Sequence, residues 1–167
     1  TVYSLKDKGI AIEVEEDGTT FEENAIKKAS EISKLSGMIT VSDDSGIEIY
    51  ALDMRPGIYS ARYAGENPTD EEMCAKVLEE KKAIVAALAE KMKNASCGVL
   101  VDYKGITVED DTKLRAEMRK NNVEYTVIKN NLIRFAANEV GFEGLDEVLH
   151  GTTAIAISMD DVIAPAK

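Results

Sequence analysis

The sequence of 167 residues contains no tryptophan, one histidine and two cysteines. His150, Cys74 and Cys97 cannot build a tetrahedral zinc site by themselves, which excludes a structural zinc domain. No apolar run approaches the roughly 18 residues that a membrane helix requires, and the N-terminus does not resemble a secretory signal peptide. From these absences we expect a cytoplasmic protein that has no membrane partner.

The charge of the chain is distributed unevenly. Its composition, 44% hydrophobic and 31% charged, is typical of a globular protein, and its net charge is −11. Residues 1–79 have a net charge of −9 and residues 80–167 of −2, yet the stretch 113–134 has +4. An acidic half suits a metal or a metal–phosphate complex, and a basic stretch suits a polyanion. Both patterns are also typical of an ordinary solvated surface.

The first half of the chain combines short strand patterns with two strong helix starts. Alternation predicts a strand over residues 9–16, and apolar residues predict strands over 38–41 and again up to Leu52. Thr20 and Glu23 form a capping box that opens a helix ending at Gly37. A second capping box begins at Thr69, and the helix it opens meets no stop signal until about residue 94.

The second half alternates strands with helices. Strands are predicted over residues 99–103, 123–128 and 154–158, and helices over 107–121, 130–141 and from about 160 onward. This order is typical of an α/β architecture. The predicted fold is therefore α/β, with two small α/β segments, residues 1–79 and 80–167, joined through one shared long helix.

Two acidic groups in the first half could carry chemistry. Residues 22–24 (Glu-Glu-Asn) lie at a helix start, and residues 43–46 (Asp-Asp-Ser-Gly) follow a predicted strand. Carboxylates in such positions can hold Mg²⁺ while phosphates fill its other positions, and one of them could take a proton from water. The same residues also suit a helix cap and a turn, so the pattern alone leaves both interpretations open.

Three motifs in the order GTTFEENAIKKA (18–29), DDSG (43–46) and PGIYSARYAG (56–65) resemble the inosine/xanthosine triphosphate pyrophosphatase family. The resemblance implies Mg²⁺-dependent hydrolysis of a purine nucleoside triphosphate such as ITP, dITP or XTP to the monophosphate and pyrophosphate. By motif position, Glu23 and Asp44 would be the catalytic and metal-binding carboxylates. The substrate loop would comprise Asp43, Ser45, Gly46, Lys28 and Arg62.

The sequence departs from this family at both ends of the resembling region. The family's Ser-x-Asn-x-x-Lys phosphate-binding loop and its Phe-Gly-Trp-Asp-like and Ser-His-Arg base-reading segments have no counterpart here. Because a site without half of its positioning groups loses orders of magnitude in rate, we expect this segment to be inactive or nearly so. Missing strands would also leave an open sheet edge, which predicts self-association through the first segment.

The second half has two candidate contacts for RNA. Asp-Tyr-Lys-Gly at 102–105 follows a strand, and residues 129–134 (Lys-Asn-Asn-Leu-Ile-Arg) occupy a strand-to-helix turn. Lys129, Arg134 and backbone N–H groups at a helix start suit phosphate. Tyr103 beside Lys104 offers a stacking face and a charge to an RNA loop. Alternatively, Tyr103 covers a small core and Lys129 is a solvated turn residue.

Residues 80–95, 99–110, 114–136 and 149–158 resemble the N-terminal domain of the bacterial large-subunit stalk-base protein, "L-ten". The resemblance implies binding to large-subunit rRNA at the base of the ribosomal stalk. The residues implied in RNA binding are Tyr103, Lys104, Gly105, Lys129, Asn130, Asn131 and Arg134. The family usually has Thr where Asn131 stands and Pro where Thr152 stands. Its stalk-recruiting C-terminal helix has no counterpart here, so stalk recruitment is not predicted.

Neither family normally contains the other, so the sequence has the character of a chimera joined at residues 79–81. Three functions are ranked in order. The first is an rRNA-binding ribosomal module with a truncated pyrophosphatase-like segment attached. The second is a Mg²⁺-dependent nucleoside triphosphate pyrophosphatase, and the third is an inert fusion scaffold.

Overall fold

The computed structural model of the chain describes residues 1–166. It divides into two compact units, Thr1–Met73 and Cys74–Lys167. Helix α2 (Asp70–Asn94) begins in the first unit and continues through the second without interruption. At its start Thr69 Oγ1 accepts from the Glu72 N–H at 3.2 Å and Glu72 Oε2 accepts from the Thr69 N–H at 2.7 Å. The predicted capping box and the predicted long shared helix are therefore confirmed.

The first unit contains helix α1 (Phe21–Ser36). Thr20 Oγ1 accepts from the Glu23 N–H, and Gly37 ends the helix with φ +65°, a left-handed conformation that glycine adopts without strain. The Glu23 carboxylate accepts from the N–H and the hydroxyl of Thr19, at 2.7 and 2.8 Å. The predicted start and end of this helix are confirmed, with Thr19 replacing Thr20 as the partner of the Glu23 side chain.

The strands predicted over residues 9–16 and 38–41 are wrong, because these segments have no regular secondary structure. Among residues 1–73, the pairing is an antiparallel ladder between β1 (Glu48–Ile49) and β2 (Arg55–Pro56). Single-turn 3-10 helices occupy Lys6–Lys8 and Tyr50–Leu52, and a longer one Gly57–Arg62. Alternating side chains predict a strand with one buried face, but a strand forms only where a neighbouring strand takes up its hydrogen bonds.

The second unit is built on an antiparallel sheet in the order β3–β5–β4, formed by Cys97–Asp102, Thr153–Ser158 and Val123–Val127. The last strand in the chain is therefore the central one. Helices α3 (Val108–Lys120) and α4 (Asn130–Glu139) follow β3 and β4. These elements confirm the α/β fold, with small shifts of the predicted ends.

The side chains of β5 divide the core of the second unit between the two faces of the sheet. Ile155 and Ile157 pack with buried residues of α2 and α4. Ala156, on the other face, packs with Val123 and with Met118 of α3. The sheet thus lies between α2 and α4 on one side and α3 on the other.

The helix predicted from about residue 160 is wrong for the residues described here, since a 3-10 turn over Ala164–Ala166 takes its place. Ser158 Oγ accepts from the Asp161 N–H at 3.1 Å, and Asp161 Oδ1 accepts from the Ile163 N–H at 2.8 Å. Short polar side chains that bind nearby backbone N–H groups compete with helix formation. Lys167 lies outside the described residues.

Candidate functional sites

The first unit contains a polar cluster centred on Asp44. Asn24 and Lys28 lie one turn apart on α1 and therefore face the same way. Lys28 Nζ lies 2.7 Å from Asp44 Oδ1 and 3.0 Å from Glu16 Oε1. Asn24, which is fully buried, donates from Nδ2 to Asp44 Oδ2 at 3.3 Å. Its Oδ1 accepts from the Gly18 N–H at 2.8 Å. Asn24 thus joins the turn before α1 to the Asp44 loop.

Lys28 holds the pKa of Asp44 below its usual range, chiefly through their hydrogen bond, although burial of the carboxyl acts in the opposite direction. Because the folded-state pKa is depressed, ionised Asp44 stabilises the fold above about its unfolded pKa of 3.8. That contribution is lost as the pH falls below this value.

We therefore expect the stability of the first unit to fall as the pH drops from about 4 to the folded-state pKa of Asp44. Asp44→Asn should weaken this dependence of stability on pH. Hydrogen exchange of the α1 amides, corrected for intrinsic rates and measured from pH 6 to pH 2.5, would show it. A pH dependence of the same size in the Asn variant would contradict the assignment to Asp44.

The two predicted catalytic carboxylates make different contacts. The Glu23 carboxylate caps α1 through Thr19, which lowers the pKa of Glu23. Both oxygens of Asp44 accept hydrogen bonds: Oδ1 accepts from Lys28 and Oδ2 from Asn24. Within residues 1–166, no group of three or more His, Cys, Asp or Glu side chains is arranged to hold a metal ion. The donor set does not fit Mg²⁺, because the Lys28 ammonium lies where the cation would bind Asp44 Oδ1.

The rest of the predicted substrate loop is partly ordered by packing. A Cβ atom at Gly46 would lie 2.2 Å from the Gly57 carbonyl oxygen and 2.7 Å from Ser60 Oγ, so this position requires glycine. Asp43 and Ser45 on either side of Asp44 are exposed. Gly46 therefore serves the packing of this loop against the 57–60 turn.

A cleft of about 1000 Å³ opens beside this cluster. Its lining includes Lys28 and Arg62 and several carboxylates. Arg62 donates from Nη2 to the Glu16 carbonyl oxygen at 3.1 Å and lies over the Tyr59 ring. The structure thus brings Lys28, Arg62 and Asp44 to one region, while Glu23 is engaged at the helix cap.

In the second unit, the predicted RNA contacts meet at one end of the sheet. The antiparallel register pairs Asp102 with Thr153 and Val127 with Ala154. The chain leaves β3 and β4 at this edge and enters β5 there. The edge therefore gathers the loops of residues 103–105 and 150–152 together with residues 129–131, where α4 begins.

Side-chain hydrogen bonds join these loops. Thr152 Oγ1 donates to Asp102 Oδ1 at 2.8 Å, and the Lys104 N–H donates to the same oxygen at 3.0 Å. Asn130 Nδ2 donates to the Gly151 carbonyl oxygen at 3.2 Å. Gly105 has φ +81°, which turns the chain away from β3. Sequence reasoning proposed residues 103–105 and 129–131 as candidates. It did not propose the 150–152 loop, although residues 149–158 carry part of the ribosomal resemblance and Thr152 departs from it.

Many charges in the basic stretch 113–134 are neutralised locally. Lys113 pairs with Glu109 at 2.6 Å, Arg115 with Asp111 at 2.7 Å and Lys120 with Glu117 at 3.0 Å, all on α3. Arg134 of α4 pairs with Asp146. Lys104 and Lys129 are exposed at the ends of β3 and β4. Exposed cationic side chains therefore lie at the ends of β3 and β4 as well as on α3.

Comparisons with known families match both halves of the chain. The family model described as ribosomal protein L10 matches residues 76–167. The model described as the Ham1 family matches residues 1–121. The chain belongs to both families. The predicted chimera of two segments is confirmed: a pyrophosphatase-like segment is joined to a ribosomal-protein-like module. The two matches overlap over residues 76–121, where the chain folds as most of α2, then β3 and α3.

Curated relatives of the chain include ribosomal proteins. "Large ribosomal subunit protein uL10" of Staphylococcus epidermidis is 52% identical over 91 residues, 54% of this chain and 55% of that protein. The uL10 proteins of Shouchella clausii and Clostridioides difficile are 52% and 50% identical over 93 residues, covering 55–56% of each chain. The chain spans about half the length of the curated relatives it matches. Among the described residues, no helix combines the length and hydrophobicity needed to cross a bilayer.

Proposed function

We propose that the ribosomal L10-like module binds large-subunit rRNA at the stalk base. The observation that carries this proposal is the convergence of two loops and the start of α4 at one edge of the β3–β5–β4 sheet. Tyr103, Lys104 and Gly105 lie on the loop after β3. Lys129 precedes α4, and Asn130 and Asn131 are its first two residues. Single-stranded or looped RNA is recognised by such combinations of an aromatic face, cations and backbone groups.

Electrostatics supports the loops over α3 as the RNA contact. The chain has a net charge of −11, so contact with a polyanion requires local cations to outweigh the overall repulsion. On α3, the carboxylates of Glu109 and Glu117 offset the charges of Lys113 and Lys120. Arg134, which pairs with Asp146, would have to exchange a carboxylate for a phosphate.

The test is binding to an rRNA fragment of the stalk base at two or more salt concentrations. Lys129→Ala/Arg134→Ala should weaken binding by about 10- to 100-fold and reduce the salt dependence by up to about two ions, since each phosphate contact releases roughly one. The matched control is Lys82→Ala/Lys93→Ala, which removes the same charge from exposed positions of α2. Equal losses in both double variants would reject a specific loop contact and leave nonspecific attraction.

The second candidate function, Mg²⁺-dependent hydrolysis of a purine nucleoside triphosphate, is supported by the Ham1 family match and by Lys28 and Arg62 in the cleft. The pairing of Asp44 with Lys28 opposes it. We expect no release of pyrophosphate from ITP above background with Mg²⁺ present, measured by a coupled phosphate assay. Release that is abolished by Asp44→Asn would reverse this ranking and make the chain an enzyme. If neither RNA nor ITP is a partner, the inert scaffold becomes the conclusion.

A further inference from the structure

The loop of residues 150–152 lies at the centre of the proposed RNA-binding edge. Its three residues, His150, Gly151 and Thr152, are exposed. They lead directly into β5, the strand between β3 and β4. The loop therefore lies between residues 103–105, called the Lys104 loop, and residues 129–131. Hydrogen bonds join it to Asp102 on one side and to Asn130 on the other.

One carboxylate holds the Lys104 side of this arrangement. Asp102 Oδ1 accepts from the Thr152 hydroxyl and from the Lys104 N–H, so a single oxygen fixes both loops. The Thr152 bond is the main cause of the lowered pKa of Asp102. On the other side, the Asn130 amide fixes the Gly151 carbonyl group.

A carboxylate at this place is electrostatically unfavourable for binding a phosphate backbone. Its negative charge lies two residues from Lys104, the exposed cation of the same loop, and opposes the approach of an anion. If Asp102 acted only through its negative charge, it would weaken RNA binding, and removing it would strengthen binding. Its two hydrogen bonds suggest the opposite effect, because a loop held in its bound shape loses less entropy on binding.

We propose that Asp102 is a positioning residue for RNA, which with Thr152 holds Lys104 in place to contact a phosphate. This inference rests on the proposed rRNA function of the module. The Thr152 hydroxyl donates to Asp102, and we call this hydrogen-bonded pair the clasp. Removing the acceptor oxygen or the hydroxyl frees the Lys104 loop.

The experiment compares four variants in binding to the stalk-base rRNA fragment. Asp102→Ala and Thr152→Val should each weaken binding about five- to tenfold, as expected for one lost polar anchor. Asp102→Asn retains an acceptor oxygen and removes the charge, so it should bind as well as the wild type or more tightly. Thr126→Val, a threonine on β4 beside α2, is the matched control and should leave binding unchanged.

A double-mutant cycle separates positioning from general damage. If Asp102 acts through Lys104, then Asp102→Ala has little further effect in a Lys104→Ala background, and each alone lowers the salt dependence by about one ion. Tighter binding by Asp102→Ala, or effects that add fully, would overturn the clasp while the rRNA function stands. No binding by the wild-type chain would instead reject the proposed function, and the clasp with it.

Discussion

Ile133→Ala is expected to destabilise the Cys74–Lys167 unit by about 2–5 kcal/mol, the range for truncating a buried isoleucine. Ile133 has no exposed surface, and it packs in the cluster that joins α2, α4 and β5. Because a whole domain is typically stable by about 5–15 kcal/mol, this loss is a large fraction of the total. Hydrogen exchange of the β5 amides, together with urea denaturation, would measure it.

The control for this variant lies two residues away on the same helix. Phe135 is 57% exposed on α4, so Phe135→Ala removes more atoms but less buried surface. We expect its effect to be below about 1 kcal/mol, in the range of surface substitutions. A loss from Phe135→Ala equal to that from Ile133→Ala would mean that this face of α4 is covered in solution.

Asn24→Ala is expected to have the largest effect in the Thr1–Met73 unit. It removes the acceptor of the Gly18 N–H and a donor to Asp44, at about 1–3 kcal/mol for each group left unpaired. Few hydrophobic side chains are buried among residues 1–73, Ile32 and Leu52 being the clearest, so little else compensates. We expect hydrogen exchange of the α1 amides to accelerate at least about tenfold, since each 1.4 kcal/mol corresponds to a factor of ten.

Two further variants identify the cause. Asn24→Asp has nearly the same shape, but it replaces the donating amide nitrogen with a carboxylate oxygen beside the Asp44 carboxylate. We therefore expect it to destabilise the unit at least as strongly as the alanine variant does. Ser30→Ala, at an exposed position of the same helix, should have no measurable effect. A well-tolerated Asn24→Asp would show that shape matters here and that the donated hydrogen bond does not.

The parts of the fold that sequence reasoning predicted are those specified by neighbouring residues. Thr20 with Gly37, and Thr69 with Glu72, delimit helices through contacts a few residues apart, and the structure has both. The strand over 9–16 was wrong because pairing depends on a partner that alternation does not specify. The helix from about residue 160 was wrong because Ser158 and Asp161 bind backbone groups that a helix would use.

The candidate sites divide in the same way. Residues 103–105 and 129–131 were proposed as candidates from their types, and the structure gathers them at one sheet edge through the register of β5. The contacts of Asn24 with Asp44 and of Asp102 with Thr152 span 20 and 50 residues of sequence. No local pattern specifies such pairs, so neither contact was predicted, although Asn24 belonged to a candidate acidic group and Thr152 was noted as a departure from the ribosomal family.

The central position of β5 also sets the order of events during synthesis. β3 and β4 do not pair with each other, because both pair with β5, which follows them in the chain. Until residues 153–158 have been synthesised, β3 and β4 lack the strand with which each of them pairs. Unpaired strand edges can pair with other chains, so we expect a chain stalled before Thr153 to aggregate more readily than one that contains β5.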